Sequence, residues 1–351
     1  MHDHKFSFPD LIKSVARLEQ ILASNGIEIL DPKNSPFRRA EDVLRAIERV
    51  NLKEIASNST SDERESWRRG FSLGDLALKL VAAHTAKPNE LLKLKAHLSL
   101  LAKDAELSLF SFAQGRTAPE QQNDFIAELH LGACCIQMMD DLVFDPPSGK
   151  KATKAKSPDI IGRFGGRRWA IECKTLHPDR AGAVQNPEAF LKRVLDARNQ
   201  IKAAIADGRA DTGVVVMSMK NTVDPDSFLP SKTIDGEIYY GAHQSLLHAL
   251  KNLSDKFDAF MAPISKTLSE RGTGLISLLT DPDNGGHPNI APGVIATYSV
   301  IDGIIRDRKP TYTMLRGLAL EPMPINKDCE IMLFANKLNA CRQDQPDHTG
   351  E

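Results

Sequence analysis

No stretch of the chain approaches the roughly 20 uninterrupted apolar residues a helix needs to cross a bilayer. The opening residues Met1-His2-Asp3-His4-Lys5 lack the basic-then-apolar layout of a secretory signal. Together these absences set the expectation of a cytoplasmic protein with no membrane partner. Cysteine is sparse. The five present form an odd set, with Cys134 and Cys135 adjacent and Cys173, Cys329 and Cys341 far apart. Neither a zinc spacing nor a disulfide framework can be read from them, and reduced thiols are the simpler expectation. Neither charge sign is in excess: 45 Lys and Arg stand against 46 Asp and Glu, a formal net charge of −1. Nucleic-acid binding therefore has to be argued from a local patch or not at all. There is no Gly-rich phosphate loop ending in Gly-Lys-Ser/Thr and no His-Glu-x-x-His helix. The usual signatures of nucleotide hydrolysis and zinc proteases are thus missing.

What is present is ordinary in bulk and informative in its order. A chain of 351 residues is long for one core, so two domains are expected. Its 41% hydrophobic and 26% charged content is that of a soluble globular protein. Residues 1–116 read as an all-helical domain. Phe8, Leu11, Ile12, Val15, Leu18, Ile21 and Leu22 recur at three- and four-residue steps and share one helical face. Further apolar-periodic runs begin near Ala40, Ser72 and Asn89, with breaks at Asp31-Pro32, Asn58-Ser59-Thr60-Ser61 and Lys87-Pro88. This half holds no internal repeat, and a partner-binding or regulatory role is its plain expectation.

The texture changes near Thr117-Ala118-Pro119. A helix is expected from about Pro119 to Met139, with Phe125, Leu129, Ala133 and Ile136 as its buried stripe. A short strand, Asp141–Phe144, closes at Asp145-Pro146-Pro147. After a Lys-rich loop, Asp159–Phe164 and Arg167–Thr175 read as strands joined by Gly165-Gly166, a pair suited to the positive φ angles of a tight hairpin. A helix over Pro187–Ala206, with Phe190, Val194, Ile201 and Ile205 on one face, leads to a buried strand at Gly213–Met217. Beyond it come an amphipathic helix (about His243–Leu268) and apolar runs at Leu275–Leu279, Gly293–Val300, Tyr312–Leu318 and Glu330–Phe334, expected to extend the same sheet. Residues 342–351 are polar, with Gly and Pro, and are expected to be disordered.

Short strings are cheap in this chain. Pro-Asp occurs six times, and acid-x-Lys triplets also begin at Asp3, Asp31 and Asp307. Asp159 with Glu172-Cys173-Lys174 differs in setting. Side chains alternate along a strand, so Trp169, Ile171 and Cys173 share a core-facing side while Glu172 and Lys174 share the other, about 6–7 Å apart. The hairpin brings Asp159 beside them, and two carboxylates and an ammonium converge on one surface. Hard carboxylate oxygens suit Mg²⁺, with Mn²⁺ able to substitute. A bound cation activates water and polarises a phosphoryl group, and a fixed Lys orients that water or steadies developing charge. From Gly149 to Lys174 there are eight basic residues (Lys150, Lys151, Lys154, Lys156, Arg163, Arg167, Arg168, Lys174) against Asp159 and Glu172. This local surplus of six positive charges suits phosphate contacts. Arg193 and Gln200, at heptad spacing on the following helix, are candidates to face the same groove. His177-Pro178-Asp179 reads as turn chemistry. Asp281–His287 is oxygen-rich but lacks calcium-loop spacing, and reads as a connection between strands.

Pro158-Asp159, thirteen residues, then Glu172-Cys173-Lys174 resembles the signature of the PD-(D/E)XK nuclease superfamily. The helix, three strands, helix, strand order over residues 119–218 is similar to that superfamily's core. The resemblance covers about 100 residues. It implies an α/β fold with a restriction-endonuclease-like αβββαβ core (117–220) in a domain over 117–341, its mixed sheet extended by C-terminal strands. It also implies that Asp159 and Glu172 hold Mg²⁺, that Lys174 is the catalytic lysine, and that Glu128 on the first core helix is a further metal-proximal carboxylate. The implied activity is Mg²⁺-dependent endonucleolytic hydrolysis of DNA, with RNA a further candidate, in a bacterial or phage-defence setting. A homodimer and a protein partner on the helical domain are additional expectations. The alternative is a catalytically inactive module of the same fold that binds nucleic acid or a protein. Some members carry Gln-x-x-x-Tyr on the second helix; Gln200 matches its start, but Ala204 stands where Tyr would be.

Overall fold

The computed structural model of the chain describes residues 4–29, 31–49, 61–103, 124–147, 157–175, 187–218, 230–234, 237–240, 261–302, 304–306, 309–321 and 330–341. The described chain opens with a short strand, β1 (His4–Ser7), followed by α1 (Phe8–Ser24). The apolar positions of α1 do what their spacing predicts. Leu11, Ile12, Val15, Leu18, Ile21 and Leu22 are all buried, against α2 (Pro36–Arg49) and α3 (Ser61–Ala86). Pro88 then begins α4 (Pro88–Leu92), and α5 (Lys95–Lys103) buries His97, Leu98, Leu101 and Ala102. Among its described residues the region is therefore helical except for β1 and the loops between helices; the four β1 residues escaped the periodicity reading because their partner strand lies about 300 residues away in sequence.

The central helix α6 (Asp124–Met138) carries the expected stripe of Phe125, Leu129, Ala133 and Ile136. Ile126, Ala127, Leu131, Cys134 and Cys135 are buried as well. A helix apolar on most of its circumference has to be covered from several sides. Here α3 and α5 cover it on one side and the sheet on another. Lys87 Nζ reaches Met139 O and Asp140 Oδ1, both at 2.7 Å, and Lys93 Nζ donates to Leu142 O at 2.9 Å. The N-terminal helices are thus tied to the start of the sheet, and one hydrophobic cluster runs from α1 to the last helix.

The sheet begins with β2 (Asp140–Phe144), β3 (Ile160–Phe164) and β4 (Arg167–Thr175), all antiparallel. Gly165 (φ 58°) and Gly166 (φ 81°) make the turn between β3 and β4, as their positive φ angles require. Helix α7 (Pro187–Ala206) crosses back to β5 (Thr212–Ser218), which pairs parallel with β4. The short β6 (Pro230–Ile234) and β7 (Glu237–Tyr240) follow. Residues 261–270 are helical (α8), and then come α9 (Leu275–Thr280), β8 (Ile290–Asp302), β9 (Ile304–Arg306), β10 (Lys309–Glu321) and α10 (Glu330–Ala340). The strand order is β2-β3-β4-β5-β8-β10-β9-β7-β6, with β1 also on β10. Antiparallel and parallel pairings coexist, so the fold is mixed α/β.

The runs at Gly293–Val300 and Tyr312–Leu318 extend the sheet as expected, but two others do not. Leu275–Leu279 and Glu330–Phe334 are helical, in α9 and α10. Each window was too short to show its period. Over the full length of α10 the buried positions are Ile331, Phe334, Ala335 and Leu338, an i, i+3, i+4, i+7 face. The Asp281–His287 segment accordingly connects a helix to a strand. It is tied down by Arg198, whose Nη1 donates to Leu278 O (3.0 Å) and Asn284 O (2.9 Å). Of the expected helix over His243–Leu268, residues 243–260 lie outside the described residues, as do 119–123 and the tail 342–351.

Helices cover both faces of β4. On one, Trp169 stacks on Phe334 of α10 with ring centroids 5.2 Å apart, and Phe164 meets the same ring edge-on. On the other, Gly213 pairs in register with Ala170 under α7, where a Cβ at 213 would collide with Ile201 Cγ2 and lie 2.7 Å from Ala170 O. Alternation then places Glu172 and Lys174 on the α7 side. Among the described residues no helix is long and apolar enough to cross a membrane.

Candidate active site

Ile160 pairs with Ile171 across the hairpin, and continuing that register sets Asp159 opposite Glu172. The two residues are laced together through the backbone. Asp159 N–H donates to Glu172 Oε2 at 3.1 Å, and Cys173 N–H donates to Asp159 Oδ2 at 2.7 Å. The Lys174 ammonium donates to Glu172 Oε1. Trp169, Ile171 and Cys173 are buried on the opposite side, as alternation predicts. The hairpin surface is not open, however. Six of the nine β4 residues are buried, Glu172 fully, because β4 is a central strand with helices on both faces. The Lys174 side chain keeps 18% of its surface accessible.

Burial sets the electrostatics. Loss of water, followed by the charges of Glu172 and Glu128, pushes the Asp159 carboxyl well above its ordinary range; Lys174 and the Cys173 N–H work against this. Burial also raises Glu172, to about 7, even though the Lys174 ammonium and the Asp159 N–H favour its ionised form. Burial disfavours the charge on Lys174, but the Glu172 and Asp159 carboxylates outweigh it and hold the ammonium above its usual value. Glu128 on α6 is therefore near enough to act on both strand carboxylates. Its own Oε2 lies 3.1 Å from Nε2 of His97 on α5.

Two further groups join this neighbourhood that sequence reasoning passed over. Asp145 follows β2, and its N–H donates to Asp159 O at 2.9 Å. Its carboxyl is raised by burial and by Glu128, and lowered by His97 and Arg209. Arg209 donates from Nη1 to Ser157 Oγ at 2.9 Å, two residues before Asp159. The signal for Asp145 was available, since an acid just past the end of β2 must neighbour the residue that opens the antiparallel β3. His97 and Arg209 left no such trace.

Other candidates fall elsewhere. Arg167 and Arg168 sit at the turn end of the hairpin, and four or five residues of strand place them roughly 13–17 Å along from Glu172. Arg167 pairs with Glu330 of α10, and Arg168 N–H donates to Asp211 Oδ2 at 2.8 Å. Arg163 pairs with Asp141. Gln200 is buried on α7, its Nε2 3.5 Å from Asp196 O of its own helix, and Arg193 is partly exposed. Lys150, Lys151, Lys154 and Lys156, with His177-Pro178-Asp179, lie outside the described residues.

The donor chemistry fits a hard divalent cation. Glu172 raises Asp159 and Glu128 raises both, and added positive charge relieves that repulsion; Mg²⁺ is commonly held by one or two carboxylates while keeping several waters. Among the described residues no three His, Cys, Asp or Glu side chains are gathered closely enough to hold one ion together. Glu128 thus stands near the pair without completing a direct ligand trio. No protein-family model, no curated protein and no solved structure matches the chain.

Proposed function

We propose that the chain is a Mg²⁺-dependent nuclease that hydrolyses phosphodiester bonds, with DNA as the favoured substrate. The observation that carries this reading is the facing of Asp159 and Glu172 across the β3–β4 hairpin, Glu172 buried and Asp159 partly so, both raised, with Lys174 bonded to Glu172. The helix, three strands, helix, strand order from α6 to β5 supports the resemblance to PD-(D/E)XK nucleases in the same way. Asp159 and Glu172 would hold the cation, which when bound would polarise the phosphoryl group and lower the pKa of a bound water. Lys174, kept charged by its carboxylate neighbours, offers its ammonium to the charge that develops on the phosphate. The Cys173 and Asp159 N–H groups fix the two carboxylates in the strand frame, so little reorganisation is needed.

One observation favours the alternative of a non-catalytic module that binds nucleic acid or a protein. Among the described residues no trio of ligand side chains is assembled. A single assay separates the two. Supercoiled plasmid, single-stranded DNA and RNA are incubated with Mg²⁺ or Mn²⁺ and with wild type, Asp159→Ala or Lys174→Ala. Cleavage by wild type alone, and only with metal, is the expected result. Equal, metal-independent behaviour of all three proteins refutes the nuclease reading, and retained binding without cleavage supports the module.

A further inference from the structure

The helical region at the start of the chain reaches the site. His97 on α5 is 2% exposed, and its Nε2 faces Glu128 Oε2 at 3.1 Å. An ionised carboxylate can only accept, so this hydrogen bond places the imidazole proton on Nε2. A glutamate has three side-chain torsions to fix, and a buried ring that is itself immobile can fix them. His97 has no such freedom, because Leu98, Leu101 and Ala102 bury α5 around it. Leu94, just ahead of α5, closes on α6, where a Cβ at Gly132 would stand 3.1 Å from Leu94 Cδ1. A second polar seam grips the same helix. His130 Nε2 lies 2.8 Å from Asp75 Oδ2 of α3, and the fully buried Lys79 bonds both. Glu128 is therefore presented to Asp159, Glu172 and Asp145 by a helix that the N-terminal region holds at two points.

We propose that His97 is a positioning residue of the candidate active site, holding Glu128 where it can serve the cation-binding carboxylates, so that the N-terminal helical region is an integral part of that site. The inference rests on the cation-binding reading given above. A carboxylate too far away to ligate directly still acts by accepting a hydrogen bond from water in the cation's shell, and such partners typically contribute about 10–100-fold to metal affinity.

The test uses the full chain and Mn²⁺ alone as the probe, with binding read from the loss of the free-ion paramagnetic resonance signal and folding checked by thermal melting. His97→Leu removes the donor at similar volume, and His97→Gln restores a donor. Relative to wild type, His97→Leu is expected to bind Mn²⁺ at least about tenfold more weakly, and His97→Gln to stay within about threefold. Glu128→Gln should lose about as much as His97→Leu, and the double variant His97→Leu/Glu128→Gln no more than Glu128→Gln alone. A purely structural role would instead add in full on the Glu128→Gln background, and that outcome overturns the proposal, as does wild-type affinity in folded His97→Leu. Absence of Mn²⁺ binding by wild type overturns the cation-site reading itself, and this inference with it.

Discussion

Replacing Glu172 by Gln removes a charge while keeping an acceptor for the Asp159 N–H, so it isolates the cost of burying that charge. The Glu172 carboxyl sits at about 7 in the fold against an ordinary 4.5, chiefly because it is buried. Between those values the folded protein holds a proton that the unfolded chain has released. Stability is therefore greatest below about pH 4.5, falls as pH rises, and levels off above about 7. The accumulated loss at pH 8 is about 3 kcal/mol, of which about 2–3 kcal/mol accrues between pH 5 and pH 8. Asp159 is raised in the same direction and partly by Glu172, so its response only enlarges the difference between the two proteins. Urea denaturation of wild type and Glu172→Gln in EDTA, at intervals from pH 5 to pH 8, measures this. Glu172→Gln should gain on wild type by about 2–3 kcal/mol across the range. Parallel profiles, or a gap that widens towards low pH, would refute the reasoning.

Three other outcomes follow from the same geometry. Lys174→Met should lower metal-dependent cleavage by at least about 100-fold while Mn²⁺ still binds, because the ammonium serves the phosphate and competes with the cation for Glu172; joint loss of both in single-turnover and binding assays would place Lys174 in the metal site instead. Gly213→Ala should destabilise the fold by about 1–3 kcal/mol in urea, since the added methyl meets Ile201 and the Ala170 carbonyl at the β4–β5–α7 seam; an unchanged midpoint would show that α7 can shift. Lys79→Met withdraws the positive charge buried between Asp75 and His130 and should cost about 3–5 kcal/mol, with the loss reduced in the double variant Lys79→Met/Asp75→Leu. Equal losses in the single and double variants would deny the pairing.

Much of the site was legible because it is local. Gly165-Gly166 sets the β3–β4 register, and that register alone places Asp159 opposite Glu172. The bounds of β4 and α7 follow from alternation and from the 3.6-residue period, over segments long enough for the pattern to declare itself. Burial of Glu172 was not legible, because it depends on α7 lying over the strand, which no property of Trp169-Ala170-Ile171-Glu172-Cys173-Lys174 encodes. The same holds for His97, whose role comes from a contact between α5 and α6. Arg167 and Arg168 show the converse relation. They are near Glu172 in sequence, but the extended strand sets them roughly 13–17 Å from it, at the turn end of the hairpin.

The pairing of β1 with β10 joins His4–Ser7 to Thr311–Met314, segments about 300 residues apart in sequence. A contact of that range cannot form until Thr311–Met314 have been synthesised, so β1 must wait for a partner made about 300 residues later. In the interval β1 is an unpaired strand, open to pairing with other chains. On the ribosome this closure should therefore come after the N-terminal helices have formed, and a bulky group fused directly before His4 should slow it and promote aggregation of nascent chains, with little effect on those helices.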